Sequence, residues 1–196
     1  MTHHFTTLPS PVGELTLVAG DKGLSAVLWE NDDPSRVPLG TMERYDSAAV
    51  LVDAAGQLGE YFAGKRRVFS VPLDFSGTDF QKSVWQALLT IPLGETRTYA
   101  QIARQIGNPK SVRAVGAANG RNPISIIAPC HRVIGSDGKL TGFAGGLPAK
   151  SYLLELEGHH PAQPPIRRKV PAILTIRNRR DAVVEHPYFS RRSSVK

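Results

Sequence analysis

Thr78 and Gln81, then Thr98 and Gln101, repeat one pattern. A threonine side chain accepts from the backbone three residues on, and a glutamine reaches back to the threonine backbone. Each pair opens an apolar run at helical spacing: Phe80, Val84, Ala87, Leu88 and Ile91 after the first, Tyr99, Ile102, Ala103 and Ile106 after the second. "IPLGE" closes the first helix and Gly107 the second, and Asn108-Pro109 then starts another short helix, "KSVRAVGAANG". Two short helices joined by a glycine-containing turn predict a helix-turn-helix. Val112 and Val115 are expected to face its core. Arg113 is then left on an outer surface of small residues, drawn from Ala114, Gly116, Ala117, Ala118 and Gly120. That surface has two readings: tight helix packing, or close approach to a nucleic-acid groove with one arginine projecting.

Upstream the period is two. "GELTLVAG" puts Leu15, Leu17 and Ala19 on one face, and "GLSAVLWE" alternates Leu24, Ala26 and Leu28. "AAVLVDAAGQLGEYFAG" then repeats at helical spacing through Leu51, Ala54, Ala55, Leu58, Tyr61 and Phe62 and stops at Gly64. "RVFSVPLDF" predicts a last strand. Residues 1–76 therefore read as a small α/β module and 77–158 as a mainly helical domain, closed by the helix "LPAKSYLLELE". That final helix carries Ala149, Tyr152, Leu153 and Leu156 on its apolar side. Glu157 stands four residues after Leu153 on the same side, where an ionised carboxylate needs a partner.

Charge divides unevenly among these parts. Residues 159–196 hold nine Lys/Arg against two Asp/Glu and lack periodicity, so a disordered basic tail is expected, with weak nonspecific attraction to nucleic acid. Residues 1–76 hold 6 basic against 10 acidic residues, and 77–158 hold 9 against 5. An anionic partner suits the second part. No run of about 18 apolar residues predicts a membrane span. The first residues lack the basic-then-apolar pattern of a signal peptide.

The chain has one cysteine, Cys130, in "APCHRVIG". It can form no internal disulfide and no multi-thiolate zinc site, so a reducing cytoplasm is expected. A lone buried cysteine is usually a small hydrophobe. Here His131 adjoins it, and Glu157 waits on an apolar helix face. A thiol with pKa near about 8.5 is only a few per cent thiolate at neutral pH, so a nucleophilic cysteine gains from a base. His131 fits that part, directly or through a water, with Glu157 orienting the imidazole. Strand neighbours point to opposite faces, so direct contact between Cys130 and His131 needs an irregular backbone, which Pro129 favours.

"PCHRVIG", with "RNP" upstream and "GFAGG…K…LLELEG" downstream, resembles the O6-alkylguanine-DNA alkyltransferase family, from about Thr78 to Gly158. The resemblance implies a ribonuclease H-like N-terminal module, a sheet plus a helix, followed by a winged-helix-like DNA-binding domain. It implies irreversible transfer of an alkyl group from guanine O6, or less efficiently thymine O4, to Cys130, once per molecule. It makes His131 the water-mediated base, Glu157 its partner and Asn122 the residue that ties the active-site turn together. Tyr99 becomes the residue that helps rotate the nucleotide and donates to the departing purine, and Arg113 the finger that fills the gap in the base stack. Ala114, Gly116 and Ala117 then lie on the minor-groove face. Backbone groups at Cys130, Val133 and Ala144 read the guanine edge, and Phe143 walls the pocket where the family often has tyrosine. The implied partner is double-stranded DNA containing O6-alkylguanine, bound by a monomer with no cofactor, no metal and no membrane. Two other readings stay open: an alkyltransferase-like lesion-binding protein, against which Cys130 itself argues, and a cysteine hydrolase, which leaves Arg113 unexplained.

Overall fold

A strand that the sequence pattern missed, β1 (His3–Ser10), lies inside the N-terminal sheet. It pairs antiparallel with β2 (Gly13–Gly20) and parallel with the short β4 (Met42–Arg44), and β2 pairs antiparallel with β3 (Gly23–Trp29), giving the order β3-β2-β1-β4. The computed structural model describes residues 2–159, so the expected tail lies outside the described residues apart from His159.

The predicted alternation in β3 is broken. Val18 pairs with Ala26 but Ala19 with Leu24, leaving Ser25 as the extra residue of a bulge. A bulge flips the face of everything beyond it. Leu24, Val27 and Trp29 therefore join Leu15, Leu17 and Ala19 in the core, in place of the expected Leu24, Ala26 and Leu28. Helix α1 (Ala49–Phe62) covers this face with Leu51, Ala54, Leu58 and Tyr61. Its chain leaves through Gly64, whose φ of 71° is the left-handed region that ends helices.

"RVFSVPLDF" forms no strand. Only Leu73 bridges to Leu24, while Leu24 N–H donates to Pro72 O and Asp74 N–H to Leu24 O. Pro72 lacks the N–H that a continuing ladder requires.

Both capping boxes are present in full, opening α2 (Asp79–Leu89) and α3 (Tyr99–Gln105). The second helix of the helix-turn-helix, α4 (Val112–Gly120), begins later than Asn108-Pro109 suggested. Val112 is exposed rather than in the core; Val115, Ala118 and Asn119 are the residues α4 buries. Helix α4 packs against both α2 and α3. The Trp85 indole fixes that packing by donating to Ala118 O at 2.8 Å.

β5 (Arg97–Thr98) pairs in parallel with β6 (Val133–Ile134), and α5 (Gly146–Leu156) closes the described chain. The core falls into two clusters. In one, Ile124, Ile126, Ile127, Ala149 and Leu153 pack with the N-terminal sheet and α1; in the other, Cys130 and Val133 pack with α2, α3 and α4. The segment from Ile124 to Val133, which carries the cysteine turn, therefore contributes to both.

Candidate active site

Cys130, His131 and Arg132 form a single 3-10 turn after Pro129, which supplies the irregular backbone expected there. The turn is held from several sides. Asn122 Nδ2 donates to Ala128 O at 2.7 Å, and its Oδ1 accepts from Ile124 N–H at 3.1 Å. Asn122 thus staples the two ends of the segment leading to Cys130. Val27 N–H donates to Pro123 O, and the Trp29 indole N–H to Ser125 Oγ at 3.3 Å, so β3 anchors the same segment. Arg36 bonds both Asp32 and Asn122 O. Between these anchors Ile126 is driven to φ 73°, a conformation costly for a β-branched residue.

The thiol is 3% exposed and has no disulfide partner. Burial pushes its pKa up, and the Asn122 side chain, Arg36 and Lys150 pull the other way without prevailing. The resting group is a neutral thiol.

His131 is fully buried. Its Nε2 meets Glu157 Oε1 at 2.8 Å, while Nδ1 has no partner among the described residues. Burial lowers the imidazole pKa against the opposing pull of Glu157, so the ring rests neutral. Burial alone would raise the Glu157 carboxyl; bonds and charge from His131 and Arg132 outweigh it and hold the group at about 2. Arg132 grips that carboxylate with Nε to Oε2 at 2.7 Å and Nη2 to Oε1 at 2.9 Å, and spends Nη1 on Ile91 O. The carboxylate is therefore ionised at any physiological pH, and a neutral imidazole whose tautomer it fixes follows the cysteine directly in the sequence.

The strand pair β5–β6 stitches the entry of the helix-turn-helix to the exit of the cysteine turn. Tyr99 follows Thr98 directly, and Thr98 pairs with Ile134, so Tyr99 and Val133 are set by one piece of backbone. Thr141 Oγ1 donates to the Tyr99 hydroxyl at 3.2 Å, leaving the phenolic proton free to be donated elsewhere. Phe143 stacks edge-on against Trp29, with centroids 5.3 Å apart, and faces the His131 ring at 6.4 Å. This close seating requires a glycine: a Cβ on Gly145 would stand 2.6 Å from the Trp29 ring. Ala144 is exposed at the edge of the same loop.

Arg113, Ala114 and Ala117 are exposed on one side of α4, and Gly116 turns toward the Tyr99 ring. The structure thus gathers Cys130, His131, Glu157 and Asn122 in one buried cluster, and sets Tyr99, Val133 and Phe143 around it. Arg113 lies on the outer helix face.

Three residues went unassigned in the sequence. Arg132 is a buried counter-ion to Glu157. Lys150 is completely buried and donates from Nζ to Val133 O at 2.6 Å and to Thr141 O at 2.9 Å, clamping two sides of the site; burial pulls its pKa down to about 8. Tyr61 reaches Glu157 Oε1 at 2.7 Å from α1. The available signals were a lysine three residues before Leu153 on an apolar helix side, and a tyrosine in an apolar stripe whose hydroxyl had to find a partner.

Residues 3–75 match the family model for the 6-O-methylguanine DNA methyltransferase ribonuclease-like domain, and 79–159 match the DNA binding domain of the same family. A methylated-DNA--protein-cysteine methyltransferase of Mycobacterium tuberculosis (strain ATCC 25618 / H37Rv) is 50% identical over 175 residues, covering 88% of this chain and 98% of that protein. One of Methanosarcina acetivorans is 50% identical over 156 residues, covering 79% and 98%. The crystal structure of Mycobacterium tuberculosis OGT in complex with DNA aligns with a TM-score of 0.70 at 50% identity, over 83% of this chain and 96% of that one.

Proposed function

The chain belongs to the 6-O-methylguanine DNA methyltransferase family, and from that premise we propose that it repairs DNA by moving an alkyl group from guanine O6 in duplex DNA to Cys130, once per molecule. The observation that supports Cys130 as acceptor most directly is its 3-10 turn. On that turn the residue after the cysteine is a buried histidine whose Nε2 is bonded to an ionised carboxylate.

The chemistry follows from the groups present. The target atom is inaccessible in a stacked base pair, so the nucleotide is extruded first, at a cost of a few kcal/mol. Arg113, exposed beside Ala114 and Ala117, fills the space left in the stack, and the small side chains let α4 press close to the groove. The flipped base enters along the Tyr99, Val133 and Phe143 walls. Its edge is read by backbone groups of Cys130, Val133 and Ala144. His131 Nδ1, without a partner among the described residues, takes the thiol proton through a water, and Glu157 stabilises the imidazolium. The sulfur lone pair forms the S–C bond as the C–O6 bond breaks. The electron pair of that bond goes to guanine, which is neutralised by the proton relayed from the site and by donation from Tyr99. The thioether has no good leaving group, so the protein is spent. No cofactor enters this balance.

DNA is the macromolecular partner in this reading, and the O6-alkylguanine lesion its substrate, met by a monomer in the cytoplasm. Among the described residues no helix is long and apolar enough to cross a membrane.

Intact mass after incubation with a methylated duplex tests the proposal: one methyl group added, mapped to Cys130, is expected, and turnover without mass gain overturns it. Arg113→Ala is expected to slow repair of duplex DNA by about 10- to 100-fold, the loss of a few kcal/mol of stacking support. Its reaction with free O6-benzylguanine, which needs no extrusion, should keep the parent rate. Equal losses on both substrates contradict the finger role.

A further inference from the structure

Tyr61 is 2% exposed at the C-terminal end of α1, and nothing in the transfer step above uses it. Its hydroxyl donates to Glu157 Oε1 at 2.7 Å. The same oxygen receives His131 Nε2 at 2.8 Å and Arg132 Nη2 at 2.9 Å, while Arg132 Nε holds Oε2 at 2.7 Å. One carboxylate thus takes donors from α1 and from the cysteine turn. We propose that Tyr61 is a positioning residue of the alkyl-transfer site, its hydroxyl sharing Oε1 with the imidazole and damping the activation of Cys130. This inference rests on the reading of His131 as the base that serves Cys130.

The physical basis is competition for one acceptor. A carboxylate oxygen spreads its charge over every donor it accepts, so each added donor weakens what the others receive. Arg132 already neutralises Glu157, and a protonated His131 would add a net positive charge to a buried cluster. The Tyr61 donor makes that state less favourable still. Removing the hydroxyl leaves the carboxylate in place, because both Arg132 nitrogens still hold it. What changes is the electron density offered to His131 Nε2–H. The other charged or titratable groups facing the cluster stay as they are: Lys150, which acts on both His131 and Cys130, Arg36, which acts on Cys130, and Tyr152, which acts on Tyr61. A protein spent by a single alkyl group gains from a thiol that is quiet before DNA arrives.

The test compares the parent with Tyr61→Phe, which keeps the buried ring. The pH profile of Cys130 alkylation by iodoacetamide is measured alongside methyl uptake from a methylated duplex. The profile should move to lower pH by about half a unit, which is about threefold faster alkylation near neutrality. A purely packing role for Tyr61 lowers the melting temperature and leaves the profile still. An unchanged profile, or one moved to higher pH, overturns the inference. Should the phenylalanine variant not melt cooperatively, 3-fluorotyrosine at position 61 keeps the ring and strengthens the donor. It should shift the profile to higher pH, and no shift overturns the inference equally. If the parent takes no methyl from the duplex, the repair function itself fails, while the iodoacetamide comparison still decides the part played by Tyr61.

Discussion

Cys130→Ser is expected to take up no methyl group from a methylated duplex and still to bind that duplex. Serine keeps the size of the side chain and the 3-10 turn, so the helix-turn-helix face and Arg113 are untouched. What is lost is the nucleophile. Even the thiol needs help here, because burial has already raised its pKa. An alkoxide lies far beyond the reach of a histidine whose own pKa is lowered by burial. Transfer should fall by on the order of 10⁴ or more, as when a nucleophile acting as one unit with its base is removed. The chain has a single cysteine, so no second thiol can mask the result. Intact mass decides it: a methyl group still added to Cys130→Ser places the acceptor elsewhere.

The site was more legible in the sequence than the sheet that supports it. Capping boxes at Thr78 and Thr98 announce their helices through local bonds, and both are present in full. The PCHRV run was readable as a unit because Cys130, His131 and Arg132 share one turn, a local feature of the chain. Strand β1 was missed because "HHFTTLPS" alternates too weakly to mark a half-buried strand; its pairing with β2 and β4 is what holds it. The face of β3 was misread because a bulge at Ser25 is a property of two paired strands, not of either one. Arg132, Lys150 and Tyr61 were passed over for a related reason. Their functions depend on acceptors that are distant in sequence, Glu157 for Tyr61 and Arg132, and the Val133 and Thr141 carbonyls for Lys150. A buried polar group signals that a partner exists, but only the fold says which.

Glu157→Gln is the substitution that separates what that carboxylate does for the fold from what it does for the reaction. In the folded chain its carboxyl is held at about 2, against an ordinary value of 4.5. That difference corresponds to about 3 kcal/mol of stability at neutral pH. The sign follows from the lowered folded pKa. The contribution is complete above about pH 4.5 and is lost as pH falls toward 2. Glutamine removes it at every pH and leaves the buried Arg132 guanidinium without its counter-ion, a loss typically worth about 3–5 kcal/mol. For a domain of this size, 3 kcal/mol is about 6–12 °C in melting temperature at pH 7. The gap between parent and variant should narrow below pH 4.5, as the parent's carboxylate takes up its proton. Catalysis should fall by about 10²–10⁴, because an amide neither stabilises the imidazolium nor enforces the tautomer that leaves Nδ1 free to accept. The two effects part under one condition. At a temperature where both proteins are fully folded, the stability difference is invisible and the rate difference remains. Equal transfer rates there would leave Glu157 a counter-ion to Arg132 and nothing more. Equal melting temperatures at pH 7, with transfer still slowed, would mean instead that the bonds from His131, Arg132 and Tyr61 serve the chemistry without supporting the fold.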